Sequence, residues 1–254
     1  MPAIDDWPAA ALPAPRIKEV WAITEYATLI FDCDGVLLDS NRLKTEAFRQ
    51  AALPYGESAA RRLVQHHVEN GGVSRYKKFE HFVKKIVPDA IERETELRVL
   101  PDYDALLSAY AAAVQEGLRT CAVAEGVEQL RAQTANTRWL VVSGGDQAEL
   151  RAVFDERGIA HYFDGGIFGS PDSKGDIVAQ EIRNGNIKRP ALFLGDSRLD
   201  HEVAKANGLD FLFISQWTEM LHWQQYLEKL SVRSVTGIRE LTTTEKAEGE
   251  CDDN

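Results

Sequence analysis

Four short runs of apolar and β-branched residues stand out along the chain, each ending abruptly in glycine or polar residues. They are Ala27–Phe31, leading into Asp32-Cys33-Asp34-Gly35; Trp139–Val142, into Ser143-Gly144-Gly145; Ala191–Leu194, into Gly195-Asp196; and Phe211–Ile214, into Ser215. Their apolar residues run on without alternating, which predicts strands buried on both faces, as in a parallel sheet covered by helices. Between the runs the apolar positions recur with a helical period. Gln147–Arg157 places Leu150, Val153 and Phe154 on one face, and Gly158 supplies a stop. Gly175–Arg183 does the same with Ile177, Val178 and Ile182. Strand alternating with helix predicts a doubly wound, Rossmann-like α/β domain, in which ligands bind beyond the carboxyl ends of the strands.

One stretch breaks the alternation. From Ser40 to Cys121 the periodicity is helical throughout. Leu43, Ala47, Phe48 and Ala51 form one stripe, with Asp39 or Ser40 as its N-cap, and Leu106, Leu107, Tyr110 and Val114 form another after Pro101. This pattern predicts a helical cap, residues 40–121, inserted after the first strand of a core formed by 22–39 and 122–241. A Pro- and Ala-rich extension, 1–21, precedes the core, and an acidic, solvated and disordered tail, 242–254, follows it.

Composition narrows the partners. A chain of 254 residues with 44% hydrophobic and 27% charged residues is long enough, and apolar enough, for a sizeable core. A net charge of −11 argues against wrapping nucleic acid or docking on an anionic membrane. It does not argue against a phosphorylated substrate, because a metal ion and a few cations reverse the potential inside a pocket. The three cysteines, Cys33, Cys121 and Cys251, have neither disulfide nor zinc spacing, and Cys33 reads as a small strand-end residue. No leader pattern and no apolar run near the roughly 18 residues of a membrane span is present, so a cytoplasmic protein is expected.

The polar residues at the strand ends carry the chemistry. Asp32 and Asp34, at i and i+2, both reach one site if the chain turns out of the strand: one attacks phosphorus and the other handles protons. An anionic nucleophile facing an anionic phosphate needs a cation between them, and magnesium with oxygen ligands fits. Gly35 allows the tight turn. Ser143, with the amides of Gly144-Gly145, reads either as a phosphate cradle or as a helix N-cap. Lys174, after Gly169-Ser170-Pro171, reads as a neutralising cation or as a solvated surface residue. Asp196 reads as a metal ligand, and Asp200 as an anchor for Lys174 or as part of a capped helix start. None of these is specific alone; their order at successive strand ends is.

Together they resemble the haloacid dehalogenase-like (HAD) superfamily. Phe31-Asp32-Cys33-Asp34-Gly35-Val36-Leu37 is similar to its first motif, Val141-Val142-Ser143-Gly144 to its second, Lys174 to its third and Gly195-Asp196-Ser197-x-x-Asp200 to its fourth. The helical insert resembles that of the branch containing phosphoglycolate phosphatase and β-phosphoglucomutase. The resemblance implies an aspartyl-phosphate on Asp32, with Asp34 as general acid and base. It implies Mg2+ held by Asp32, the backbone carbonyl of Asp34, and Asp196, and a phosphoryl group bound by Ser143 and Lys174. An acid at Asp34 implies P–O rather than carbon–halogen or phosphonate chemistry.

Lys44 departs from this branch, many of whose members carry His there, and reads as a residue that approaches Asp34 or contacts the substrate. Within the insert, Asn70–Phe79 is a glycine turn followed by cations and reads either as a substrate-reading loop, with Arg75 first and Lys78 second as substrate contacts, or as a helix–helix turn with a solvated basic face. His66, His67 and His81 read as core or surface residues. The expected activity is a phosphatase acting on a small, sugar-phosphate-like metabolite, as monomer or homodimer. A phosphosugar mutase uses the same residues, and a non-catalytic phosphate-binding protein is the alternative of another class.

Overall fold

The computed structural model describes residues 23–93 and 101–242. The expectations for 1–21 and, apart from Thr242, for the tail lie outside the described residues. The chain opens with β1 (Thr28–Phe31). Among the described residues it then forms helices without a further strand: α1 (Asn41–Ala52), α2 (Glu57–Glu69), α3 (Arg75–His81), a π-helical turn (Phe82–Ile86), α4 (Val87–Arg93) and α5 (Tyr103–Thr120). It returns through α6 (Val127–Gln133) to β2 (Arg138–Asp146), α7 (Gln147–Glu156), β3 (Gly166–Ser170) and α8 (Lys174–Arg183). The last elements are β4 (Ala191–Gly195), α9 (Arg198–Ala206), β5 (Asp210–Ile214), α10 (Trp223–Leu230) and β6 (Ser234–Val235).

The strands form one parallel sheet in the order β3-β2-β1-β4-β5-β6. The reason is visible in the side chains. Leu29 and Phe31 of β1, Trp139 and Val141 of β2, and Leu192 and Leu194 of β4 pack into one apolar cluster. The residues between them, Ile30, Leu140, Val142 and Phe193, pack into a second cluster on the opposite face. Both faces exclude water, so the central positions of these strands are apolar on both sides. Phe31 is in register with both Val141 and Leu194, which brings Asp32, Ser143 and Asp196 to the carboxyl edge within one residue of the same level.

The first cluster does not stop at the sheet. It continues through Cys33 and Val36–Leu38 into the insert, where the rings of Phe48, Phe79 and Tyr110 stack with centroids 4.5–5.8 Å apart. Buried side chains of this size each contribute roughly 1.5–3 kcal/mol by leaving water. The insert is therefore seated on the core by a shared apolar layer, directly above the edge where the acidic residues emerge.

Candidate active site

Asp32 leaves β1 with its N–H donating to the Leu194 carbonyl at 2.9 Å, and the chain at once turns back on itself, with Leu37 and Leu38 N–H both on the Cys33 carbonyl. Gly35 holds this turn in the left-handed region at φ +77°, and a side chain there would collide with Asp196 and Asn41. Cys33 is fully buried and burial raises its thiol well above the ordinary range, which agrees with its reading as a small strand-end residue.

Two lysines are tied to two carboxylates. Lys174, buried at the start of α8, ion-pairs with Asp32 Oδ2 at 2.7 Å and Asp200 Oδ1 at 2.6 Å. Asp200 is itself fixed, its Oδ2 accepting from the hydroxyl of Ser197 at 2.6 Å and from its N–H at 3.2 Å in a capping box at the start of α9. Lys44 ion-pairs with Asp34 Oδ2 at 2.7 Å, and Ser40 Oγ donates to Asp34 Oδ1 at 2.6 Å. Ser40 thus occupies the N-cap position of α1 without capping it; its hydroxyl turns to Asp34 instead. Asn41 was not singled out by its sequence context, yet its amide donates to Asp196 Oδ2 at 2.7 Å and to the Trp217 carbonyl at 2.9 Å.

The charges do not balance. Four buried or nearly buried carboxylates, Asp32, Asp34, Asp196 and Asp200, face two ammonium groups, Lys44 and Lys174. Burial, reinforced by Asp200 and Asp34 and opposed by Lys174, pushes Asp32 up to about 7. Burial together with Asp32 and Asp200 raises Asp196 well above the carboxylate range. Burial would raise Asp34 too, but Lys44 and the Ser40 hydroxyl hold it below its usual value. Asp32, Asp196 and Asp200 each present an oxygen within 4.8 Å of the others. An all-oxygen set with two surplus negative charges suits one hard divalent cation such as Mg2+. Asp200 is already committed to Lys174 and Ser197, which leaves Asp32 and Asp196 as the better donors.

Ser143 sits within β2, which runs on to Asp146, rather than beyond the strand. It is fully buried, and its Oγ accepts from the Gly145 N–H at 3.0 Å. The N-cap of α7 is Asp146, whose side chain accepts from Glu149 N–H, so the helix-cap reading of Ser143 is replaced. Gly144 and Gly145, not Ser143, line the cavity above Asp32.

That cavity encloses about 470 Å³ between the sheet edge and the insert. Its seam is backbone on backbone: a Cβ at Gly144 would strike the Gly72 carbonyl. Beside the seam, Arg75 donates to Glu149 Oε2 at 2.8 Å and lies over the Tyr110 ring, while Tyr76 OH donates to Asp146 Oδ2 at 2.8 Å. Arg75 thus lines the cavity with its guanidinium already engaged by the core. Lys78 is only 2% exposed and meets His67 Nδ1 at 2.7 Å, both lining the cavity, whereas His66 and His81 stack on each other at 3.9 Å. His67 therefore has a place in the site, which no spacing in the sequence signals.

Comparison with solved structures finds the same fold. CbbY from Rhodobacter sphaeroides in complex with phosphate aligns with TM-score 0.62 and 18% identity, over 85% of this chain and 96% of that one. A predicted phosphatase from Clostridium acetobutylicum aligns with TM-score 0.60 and 18% identity, over 85% and 96%. A haloacid dehalogenase-like family protein from Streptococcus pneumoniae aligns with TM-score 0.57 and 19% identity, over 82% and 93%. Comparison with curated proteins gave no match. The model of the haloacid dehalogenase-like hydrolases matches residues 26–208, spanning β1, the helical insert and the strand ends that hold Asp32, Lys174 and Asp196, and the chain belongs to that family.

Proposed function

We propose that this protein is a magnesium-dependent phosphatase that hydrolyses a small phosphomonoester through an aspartyl-phosphate on Asp32. One observation carries the reading: Asp32 and Asp34 both line the cavity between the sheet edge and the insert, each held by its own buried lysine, with pKa values driven in opposite directions. Carboxylates in unlike environments take unlike roles.

Asp32, oriented by Lys174, attacks phosphorus, and the bond from phosphorus to the ester oxygen breaks. That oxygen leaves with the proton shared across the Lys44–Asp34 hydrogen bond. Asp34 then takes a proton from a water molecule as its oxygen attacks the aspartyl-phosphate, releasing inorganic phosphate and restoring Asp32. Lys174 keeps its charge through both halves, since Asp200 and Asp32 outweigh the effect of burial and raise it. Magnesium, held by Asp32, Asp196 and the Asp34 carbonyl, would supply neutralisation of the phosphoryl charge. The backbone at Gly144 and Gly145, which line the cavity, and the Ser143 hydroxyl beneath it would serve as neutral donors to the transferring group.

The test is phosphate release from a panel of phosphomonoesters with Mg2+ present. The wild type should release phosphate, and Asp32→Asn should lose activity on the order of 10⁵-fold with its melting curve intact. Isomerised substrate in place of free phosphate would favour the mutase. Unaltered ligand binding with no turnover by the wild type would favour a binding protein.

A further inference from the structure

Among the described residues, Lys78 is a cation buried in the cavity wall with no carboxylate against it. Its neighbours explain why. Asp34 is taken by Lys44 and Ser40, and Asp32 by Lys174. Arg75, which like Lys44 is turned to the cavity from the insert, is spent on Glu149. Lys78 Nζ has three donors, and one meets His67 Nδ1. Its ammonium lies 5.5 Å from the centroid of the Phe48 ring, and the His67 ring packs tilted against that ring at 4.5 Å, so both head groups are held by packing. An ammonium fixed out of water with donors to spare is costly unless an anion meets it.

We propose that Lys78 and His67 form a subsite in the helical insert for a second anionic group of the substrate, so that the enzyme selects phosphomonoesters carrying a carboxylate or a further phosphate. This rests on the phosphatase reading of the cavity. The surrounding electrostatics agree. Burial and then Lys44 push Lys78 down to about 7, with Lys174 adding to Lys44 and with Asp34 and Asp32 opposing; burial, Lys78, Lys44 and His66 hold His67 well below its usual value. His67 is thus the neutral acceptor, and an arriving anion restores the charge on Lys78. A cavity of about 470 Å³ holds a short backbone bearing both groups.

Matched substrates test it. 3-Phosphoglycerate against glycerol 3-phosphate changes CH2OH to carboxylate, and fructose 1,6-bisphosphate against fructose 6-phosphate adds a phosphate. The wild type should favour the second anion in at least one pair by about tenfold or more in kcat/KM, the scale of a charge-assisted hydrogen bond. Lys78→Met should bring that ratio to within about threefold through KM, and Lys78→Arg should keep part of it. The same pairs are titrated by calorimetry onto Asp32→Asn and onto Asp32→Asn with Lys78→Met. That arm reads the subsite without turnover, and melting curves confirm folding. Failure of every phosphomonoester to release phosphate sinks the phosphatase reading, while the binding preference still decides the subsite. No preference in kinetics or binding, or a preference that Lys78→Met leaves intact, overturns the subsite.

Discussion

The two walls of the cavity solve opposite electrostatic problems. On the sheet edge carboxylates outnumber the cations that meet them, and each of those lysines, Lys174 from the core and Lys44 from α1 of the insert, is locked to an acid within 2.7 Å. On the inner face of the insert the balance reverses, and Lys78 meets only a neutral imidazole. The first wall is a surplus of negative charge awaiting a cation, the second a positive charge awaiting an anion. A phosphorylated molecule with its metal would complete both. On the proposed reading, Lys174 and Lys44 hold the reacting groups, and Lys78 above them would meet what distinguishes one substrate from another.

Breaking the sheet-edge side should have the largest effect. Asp34→Asn removes the acid and base together and should lower kcat by about 10³-fold, measured as steady-state phosphate release. Lys174→Ala strips the partner from both Asp32 and Asp200 and should cost about 3–5 kcal/mol in chemical denaturation, because two carboxylates are then buried unpaired. Next comes the surplus of negative charge itself. Mg2+ at ~100-fold its dissociation constant should stabilise the fold by about 2.7 kcal/mol, read as a rise in melting temperature. Asp196→Asn should shrink that rise whether or not the enzyme turns over.

The smallest effect belongs to the insert, and its sign sharpens the contrast. Lys78 has a folded pKa near 7, below its unfolded value, so between the two the unfolded chain binds more protons. Stability should therefore increase as pH rises from about 7 toward the ordinary lysine range, and Lys78→Met should remove that contribution from a urea-denaturation profile. A profile unchanged by the substitution would mean that Lys78 is not held against its charge, and the two walls would not differ as described.

The sheet was legible in the chain wherever a strand is buried on both faces, because β1, β4 and β5 are apolar runs with sharp ends. β3 escaped notice: Gly166-Ile167-Phe168-Gly169-Ser170 is an edge strand with glycine at two of five positions. β6 is two residues long, too short to carry a period. In the insert the stripes of α1 and α5 showed, whereas the π-helical turn at Phe82–Ile86 did not. It precedes Pro88, which has no N–H to return to Lys84, and an i, i+5 bond from Val87 to Phe82 replaces the regular ladder there.

The site divides in the same way. Asp32, Asp34, Lys174 and Asp196 were readable because each stands at the end of an apolar run or one turn from a helix start. Their partners were not. Asn41 reaches Asp196 across 155 positions, Arg75 reaches Glu149 across 74, and His67 meets Lys78 only because α2 folds against α3. Such pairings follow from tertiary packing, which no local spacing records.

The meeting of Gly144 with the Gly72 carbonyl gives the molecule a clearance gauge. Main chain touches main chain there, so no rotamer can give way, and the height of the insert above Asp32 is set by a missing carbon atom. One methyl group at position 144 would prop the two walls apart. The gap would admit solvent to the cavity above Asp32, where the acyl phosphate is proposed to form, and would draw Lys78 away from the sheet edge. The exclusion of water and the choice of substrate, which rest on different residues, thus depend on the same fraction of a nanometre.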